Sequence, residues 1–457
     1  MAPDDPARLR PGTRPPPHPQ LWPASARLDV AGRLQVGGCD AEELARRFGT
    51  PLYVYDEATI QGQCRAFRDA FSTRYAHSAI AYAAKAYLAP ALCRLLHEEG
   101  LELDAVSAGE VTVAVAATYP AAAIHLHGNL KPDAELTLAL NAGIGRIVID
   151  SLDELDRLAA LAAARGVHQR VWLRICPDVA IDTHPHDQTG HAGSKFGLDI
   201  ASGAAREAAR RVHAATHLEL AGLHAHAGSQ LRDPRPAAAV MSVLVEFAAL
   251  LHDVEGIAIA EVSPGGGWGV AYHPSDDALP INDYAAALVD ALRVGIARRR
   301  LPPPRLIVEP GRAIVARAGM ALYTAGPRKA APDGSVILAV DGGMGDNIRP
   351  ALYGAHYHAA LPARMTAPAE ESVRVVGRYC ESGDVLVNQV ALPRVALGEI
   401  IAVPVSGAYQ LAMASAYNLV PRPAVVWVRD GAARLVRRRE TYDDLMRLDI
   451  ARPGDGT

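Results

Sequence analysis

The stretch SAIAYAAKA, residues 78–86, decides how this chain reads. Small and apolar residues run up to one lysine, Lys85, and a helical pattern, PALCRLLHEEG, follows at 90–100. A charged side chain closing a run that reads as buried needs a partner or a use. One use is plain: a strand-end lysine lays its stem on apolar surface and keeps its ammonium in water. The rest of the chain decides between that and chemistry.

The unit recurs. LELDAVSAGE (101–110), AIHLHGNLK (123–131), GRIVIDS (145–151), RVWLRICPD (170–178), LAGLHAHAGSQ (220–230), IAIAEVSPGGG (257–267) and RLIVEPGRAIV (305–315) are further short apolar runs. Helical segments such as SLDELDRLAALAAARG separate them. Such alternation predicts right-handed βα units and a parallel sheet. Eight units in succession predict a closed (β/α)8 TIM-type barrel over 56–318. Polar residues and glycines collect at the C-terminal ends of the runs: Lys85, Asp104 and Ser107, His127 and Asn129, Asp150, Arg174, His226 and Ser229, Gly265 to Gly267, Glu309 and Arg312. In such a barrel those ends form the active-site face.

Beyond residue 320 the pattern changes. SVILAVDGG, SVRVVGRYC, DVLVNQVAL, EIIAVPVSG, PAVVWVRDG and ARLVRRRE are β-like runs separated by turn residues, so 319–457 reads as a separate β-sheet domain. The early runs ARLDVAGRLQVGG and PLYVYD, within 26–55, are expected to add strands to it. Residues 1–25, rich in proline and arginine at their start, read as a disordered tail.

Bulk properties narrow the classes. A chain of 457 residues exceeds one ordinary core, so at least two domains are expected. A net charge of −4 and 5% aromatic residues disfavour a nucleic-acid binder. The five cysteines (Cys39, Cys64, Cys93, Cys176, Cys380) form no CxxC pair, so neither a zinc ribbon nor a disulfide framework is expected, and a reducing cytoplasm fits. No stretch reads as a membrane span, and no membrane partner is expected.

Each chemical motif has a bland counterpart. The glycines of VSPGGGWG could bring backbone N–H groups close to a phosphate, or form a flexible turn; they do not match the dinucleotide fingerprint. In VEPGR, Glu309 could keep a pyridine nitrogen protonated and Arg312 could hold an anion, or the two could be a surface pair. His224 and His226 of HAHAGSQ could bind metal or lie against a flat ring, and His184, His186 and His191 are a weaker metal candidate; no metal is expected. Cys380 of RYCESGD could be an inert thiol or a proton-transfer group beside Glu381. Taken together, a lysine, a glycine cradle and an acid at three run ends describe a pyridoxal 5'-phosphate site with Lys85 as its Schiff-base lysine.

The motifs YAAKAYLAPALCRLLHEEGLELDAVSAGE, GSKFGLD, GLHAHAGSQL, EPGR, DGGMGDNIRPALYGA, CESGD and GAYQLAMASAYN occur in this order between LARRFGTPLYVYDE and RRRETYDDLM. With them the chain resembles the diaminopimelate decarboxylases, in the alanine-racemase-like group of pyridoxal phosphate enzymes. The resemblance implies a barrel plus a C-terminal β domain, and a homodimer with shared active sites. It implies that Lys85 carries the cofactor and His226 stacks on its ring. Ser229, Gly267, Glu309, Pro310, Gly311 and Arg312 would hold ring and phosphate, with Tyr409 near the phosphate. Arg312, Arg349, Tyr353, Glu381 and Tyr409 match substrate-binding positions, and Cys380 matches the proton donor. The implied reaction takes meso-2,6-diaminopimelate to L-lysine and CO2, the last step of lysine biosynthesis. Alternatives are a decarboxylase of another amino acid or of a carboxylated conjugate, as in siderophore pathways, a racemase, and a non-catalytic binder of the cofactor. The substrate-type residues beyond the barrel weigh against the last.

Overall fold

The computed structural model of the protein describes residues 13–178 and 194–449. Contacts divide the chain into two compact units: Gln61–Val270 with Asp277–Ile314, and Met1–Ile60 with Ala271–Asp276 and Val315–Thr457.

In the first of these, eight parallel strands close on themselves in the order Ser78–Ala83, Glu102–Ala105, Ile124–Leu126, Arg146–Ile149, Gln169–Cys176, Leu218–His224, Glu261–Ser263, Arg305–Val308, and back to Ser78–Ala83. They coincide with the eight apolar runs. Helices follow the strands, and polar residues at the junctions start them: Ser107 and Ser151 accept from the backbone N–H of Glu110 and Glu154, at 3.2 Å each. Ser107, a polar strand-end residue by sequence, is therefore a helix cap. Ala81, Val148, Trp172, Ala221 and Ile307, from five different strands, form a buried apolar cluster. A ring of charge occupies the strand starts. Arg146 makes a bidentate bond to Glu261 at 2.7 and 2.6 Å, Trp172 Nε1 donates to the same carboxylate at 2.7 Å, and Arg305 bonds Glu102 at 2.6 Å.

One expectation needs correcting here. Helix Arg235–Glu255 is long and apolar enough to cross a membrane by length and composition, with mean hydropathy 1.7 over 18 residues. Half of that window is buried within the fold. Val240, Leu244, Ala248 and Leu251, spaced at the helical period, are among its buried residues. The helix packs on Ile281–Arg299, where Gly295 lies so close to Val245 that a Cβ would stand 2.7 Å from its Cγ1.

The other unit is built on an eight-stranded, mostly antiparallel sheet. Its path runs Val385–Leu392, Glu371–Val376, Val336–Val340, Gly319–Ala330, Leu52–Asp56, Ala424–Arg429, Ala432–Arg437, and Ile400–Val403 pairs with Gly319–Ala330. PLYVYD thus joins this sheet. The earlier run does not: Arg27–Leu28, Leu34–Val36 and Cys39–Asp40 make a separate three-stranded sheet. The long strand Gly319–Ala330 was not among the expected runs. Pro327 interrupts its alternation, and its pairing shifts register between Ala325 and Arg328. Residues 13–25 also depart from the expected tail. Leu21 and Trp22 are fully buried, Trp22 Nε1 donates to the Pro17 carbonyl at 3.1 Å, and Arg14 bridges to Leu28. Two large apolar anchors outweigh the composition around them. Residues 1–12 of that tail lie outside the described residues.

Candidate active site

Lys85 sits in a one-turn 3-10 segment, Ala84–Ala86, directly after the first barrel strand. Its neighbours Ala84 and Ala86 are buried while Lys85 itself is exposed, so the amine leaves the run rather than lying in it. Its charge acts on Asp104, Glu110, His224 and His226, which places it over the C-terminal strand ends. The EPGR segment is pinned beside it, since Ala83 N–H donates to the Pro310 carbonyl at 3.2 Å. The glycine turn is pinned next, with Glu309 N–H donating to Gly265 O at 2.9 Å. Backbone bonds thus bring three sequence motifs side by side.

Glu309 is the centre of this end. His224 Nε2 donates to its Oε2 at 2.9 Å and Ser263 Oγ to its Oε1 at 2.8 Å. Burial alone would raise its carboxyl, but His224, His127 and these two donors outweigh it and hold it well below the ordinary range. Asp104 behaves oppositely. Burial and the neighbouring Glu309 charge raise its carboxyl far above the usual value. His127 Nε2 lies between them, 3.6 Å from Asp104 Oδ1 and 3.7 Å from Glu309 Oε1, and burial pushes its pKa down. One acid is ionised and its neighbour protonated, the division that acid–base sites use.

The glycine turn shapes the other side. Gly265 has φ +76°, and a Cβ there would stand 2.6 Å from His226 Nδ1. His226 Nδ1 accepts the Gly266 N–H at 3.2 Å, which fixes the ring. Burial first, then the charges of Lys85 and Arg174, press its pKa well below the ordinary value, so the ring is neutral. The amides of Gly265 and Gly266 are used internally, by Ser263 Oγ and His226 Nδ1; that of Gly267 makes no hydrogen bond among the described residues. Arg312 Nη2 donates to Ser229 Oγ at 2.8 Å. Asp150 takes the Gly197 N–H at 3.2 Å, and Arg174 lies 4.2 Å over the Phe196 ring, which docks the stretch SKFGLD (194–199) here.

These groups fit pyridoxal phosphate. Buried Asp104 Oδ1, His127 Nε2, Asp150 Oδ1 and His224 Nδ1 have no hydrogen-bond partner among the described residues. An ionised, buried carboxylate suits a protonated ring nitrogen, and an arginine, a serine and a glycine amide suit a phosphate. His127, His224 and Glu309 could also surround a metal, their ligand atoms lying within 4.8 Å of one another. The His224–Glu309 hydrogen bond, however, occupies two of the directions such an ion would need. His184, His186 and His191 lie outside the described residues. Sequence reasoning missed Ser263 and the role of His224; the serine stands directly before the PGGG turn, which was the available signal.

The remaining predicted residues belong to the sheet unit. Arg349 is buried at the start of the short helix Arg349–Tyr353 and bonds the Tyr357 hydroxyl, with its guanidinium 4.7 Å from the Tyr272 ring centre and 6.0 Å from that of Tyr353. Cys380 is exposed, and its N–H donates to Asn418 Oδ1 at 2.9 Å. Glu381 is exposed beside it. Tyr409 adopts φ +58°, next to Gln410, whose Oε1 accepts from the Tyr53 hydroxyl at 2.8 Å.

Residues 57–316 match the family described as "Pyridoxal-dependent decarboxylase, pyridoxal binding domain". The chain is 41% identical to a diaminopimelate decarboxylase of Bacillus subtilis, covering 93% of this chain and 97% of that protein. It is 42% identical to one of Mycobacterium tuberculosis, over 94% and 98%. A crystal structure of the diaminopimelate decarboxylase of M. jannaschii in co-complex with L-lysine superposes with TM-score 0.88 at 34% identity, covering 94% of this chain and 99% of that one. A barrel whose strand ends suit pyridoxal phosphate, together with these relatives, leads to one conclusion: the chain belongs to the pyridoxal phosphate-dependent decarboxylases, in the diaminopimelate decarboxylase family.

Proposed function

We propose that the chain decarboxylates meso-2,6-diaminopimelate to L-lysine and CO2, the closing step of lysine biosynthesis, in the cytoplasm. The observation that carries this reading is Glu309, kept ionised at the barrel end beside the Lys85 turn. Pyridoxal phosphate supplies an electron sink for the bond that loses CO2. Lys85 would hold the cofactor, and Glu309 would keep a proton on its ring nitrogen. His226 would hold the ring, and Ser229, Gly267, Pro310, Gly311, Arg312 and Tyr409 would hold the ring and phosphate. Arg312 and Tyr409 would also bind the substrate. Its distal end carries one carboxylate and one ammonium. Arg349 binds the first, Glu381 the second, and Tyr353 adds a hydroxyl. The Cys380 thiol delivers a proton to the carbon that has lost CO2.

The purified protein with pyridoxal phosphate should convert meso-diaminopimelate to L-lysine with equimolar CO2, and turn over L-lysine, L-ornithine and L-arginine far more slowly. Faster release of CO2 from one of those three would overturn the substrate assignment. The working unit is a homodimer in which Cys380 and Glu381 of one copy serve the cofactor of the other. Lys85→Ala and Cys380→Ala chains should each be impaired, the second by about a hundredfold to ten-thousandfold. Mixed under subunit exchange, they should regain activity; no recovery in verified mixed dimers would place both groups in one copy's site.

A further inference from the structure

Asp384 closes the CESGD stretch and has no part in the scheme above. It is 4% exposed. Its Oδ1 accepts the Met344 N–H at 2.6 Å and its Oδ2 the Tyr379 N–H at 2.8 Å. Its own backbone is used as well: its N–H donates to Glu381 O at 3.1 Å and its carbonyl accepts the Gly377 N–H at 3.0 Å. Met344 lies in the glycine-rich loop that leads into helix Arg349–Tyr353, and Tyr379 immediately precedes Cys380. One carboxylate therefore ties the loop that carries Arg349 to the loop that carries Cys380 and Glu381.

The surroundings show how closely the two loops are fitted. A Cβ on Gly345 would stand 2.2 Å from the Tyr379 hydroxyl, and one on Gly343 2.5 Å from Asp384 Oδ1. Asp346, in the same loop, takes the Gly343 N–H at 2.8 Å and the Tyr323 hydroxyl at 2.7 Å, which anchors the loop from its other side. Backbone N–H groups bound to a buried carboxylate make the strongest class of protein hydrogen bond.

We propose that Asp384 is a positioning residue that fixes two loops at once: the one that presents Arg349 to its own copy's substrate and the one that presents Cys380 to the partner copy's. The proposal rests on the roles assigned to those two residues. Its carboxylate is the acceptor for both loops at once. An asparagine of the same shape offers one acceptor oxygen and turns an amide N–H₂ toward the other backbone donor.

The test is kinetic. Asp384→Asn should keep its cofactor absorbance and raise KM for diaminopimelate while lowering kcat, each by about tenfold. In a Cys380→Ala background the further loss in kcat should vanish while the rise in KM persists, because Asp384 acts on kcat through that thiol. Iodoacetamide should alkylate Cys380, exposed where the other four cysteines are buried, at a rate at least threefold different in Asp384→Asn. Should Asp384→Asn fail to fold, Gly345→Ala, which pushes the Met344 loop off Tyr379, should give the same pair of kinetic changes with Asp384 intact. Equal kcat losses with and without Cys380, or normal KM in a folded variant of either kind, would overturn the proposal. If Cys380→Ala and Arg349→Lys are themselves near normal, the failure lies in the underlying site assignment instead.

Discussion

The two ends of the barrel both bury acids, and the acids Glu261 and Glu102 at one end are neutralised differently from Glu309 and Asp104 at the other. At the strand starts, acids meet guanidinium groups: Glu261 with Arg146 at 2.6 Å and Glu102 with Arg305 at 2.6 Å. Burial would raise Glu102, but His125, Arg305 and Arg146 outweigh it and hold it at about 2. At the strand finishes, two acids flank one imidazole, and Asp104 is driven up to about 8 by burial and by Glu309. Ions that already have partners hold a structure together. Groups buried without partners await a ligand, and perturbed acids gather at functional sites. The contrast separates the end that closes the barrel from the end that does chemistry.

The largest expected effect tests the lower end. Arg146→Met leaves Glu261 buried with its main partner gone and should cost about 3–5 kcal/mol in urea unfolding. The folded fraction should keep its kcat/KM. At the upper end Glu309→Gln should do the reverse, lowering kcat/KM by roughly tenfold or more through loss of charge-assisted bonds worth about 1.5–3 kcal/mol. Its unfolding midpoint should move less than that of Arg146→Met. If Arg146→Met kept its stability and lost catalysis, the division between the two ends would be wrong.

A smaller effect sharpens the account of Asp104. In the folded, cofactor-free chain it keeps its proton to about pH 8, whereas an unfolded aspartate loses it near pH 4. The folded state thus binds more protons between those values, and stability falls as pH rises through that window. Asp104→Asn should flatten this part of the stability profile. Parallel profiles for the two proteins between pH 4 and 8 would show that Asp104 is ionised in the fold.

Much of the barrel was legible because parallel strands covered on both faces read as apolar runs, and chemistry collects at their C-terminal ends. Lys85, His226, Glu309 and Arg312 could be picked out that way. The charged ring at the strand starts could not. Glu102, Arg146 and Glu261 read as ordinary polar boundaries until closure brings together residues as far apart as 146 and 261. The roles of Ser263 and His224 were hidden for a related reason: each role shows only in the bond to Glu309. The sheet unit was less legible. Its central strand Gly319–Ala330 carries a proline and a register shift, and it pairs with residues 52–56. The brace at Asp384 depends on backbone donors 40 and five residues away, which no side-chain pattern reports. Buried Leu21 and Trp22 show that two anchors can order a segment whose composition suggests disorder.

The central claim is that the upper barrel end carries pyridoxal phosphate on Lys85. Borohydride reduction of the cofactor-saturated protein, followed by peptide mass mapping, tests it directly. A single pyridoxyl group on the peptide containing Lys85 is the predicted result. A label on buried Lys131, whose amine already bonds two backbone carbonyls and Glu154, or on any other lysine, would contradict it, as would no label at all.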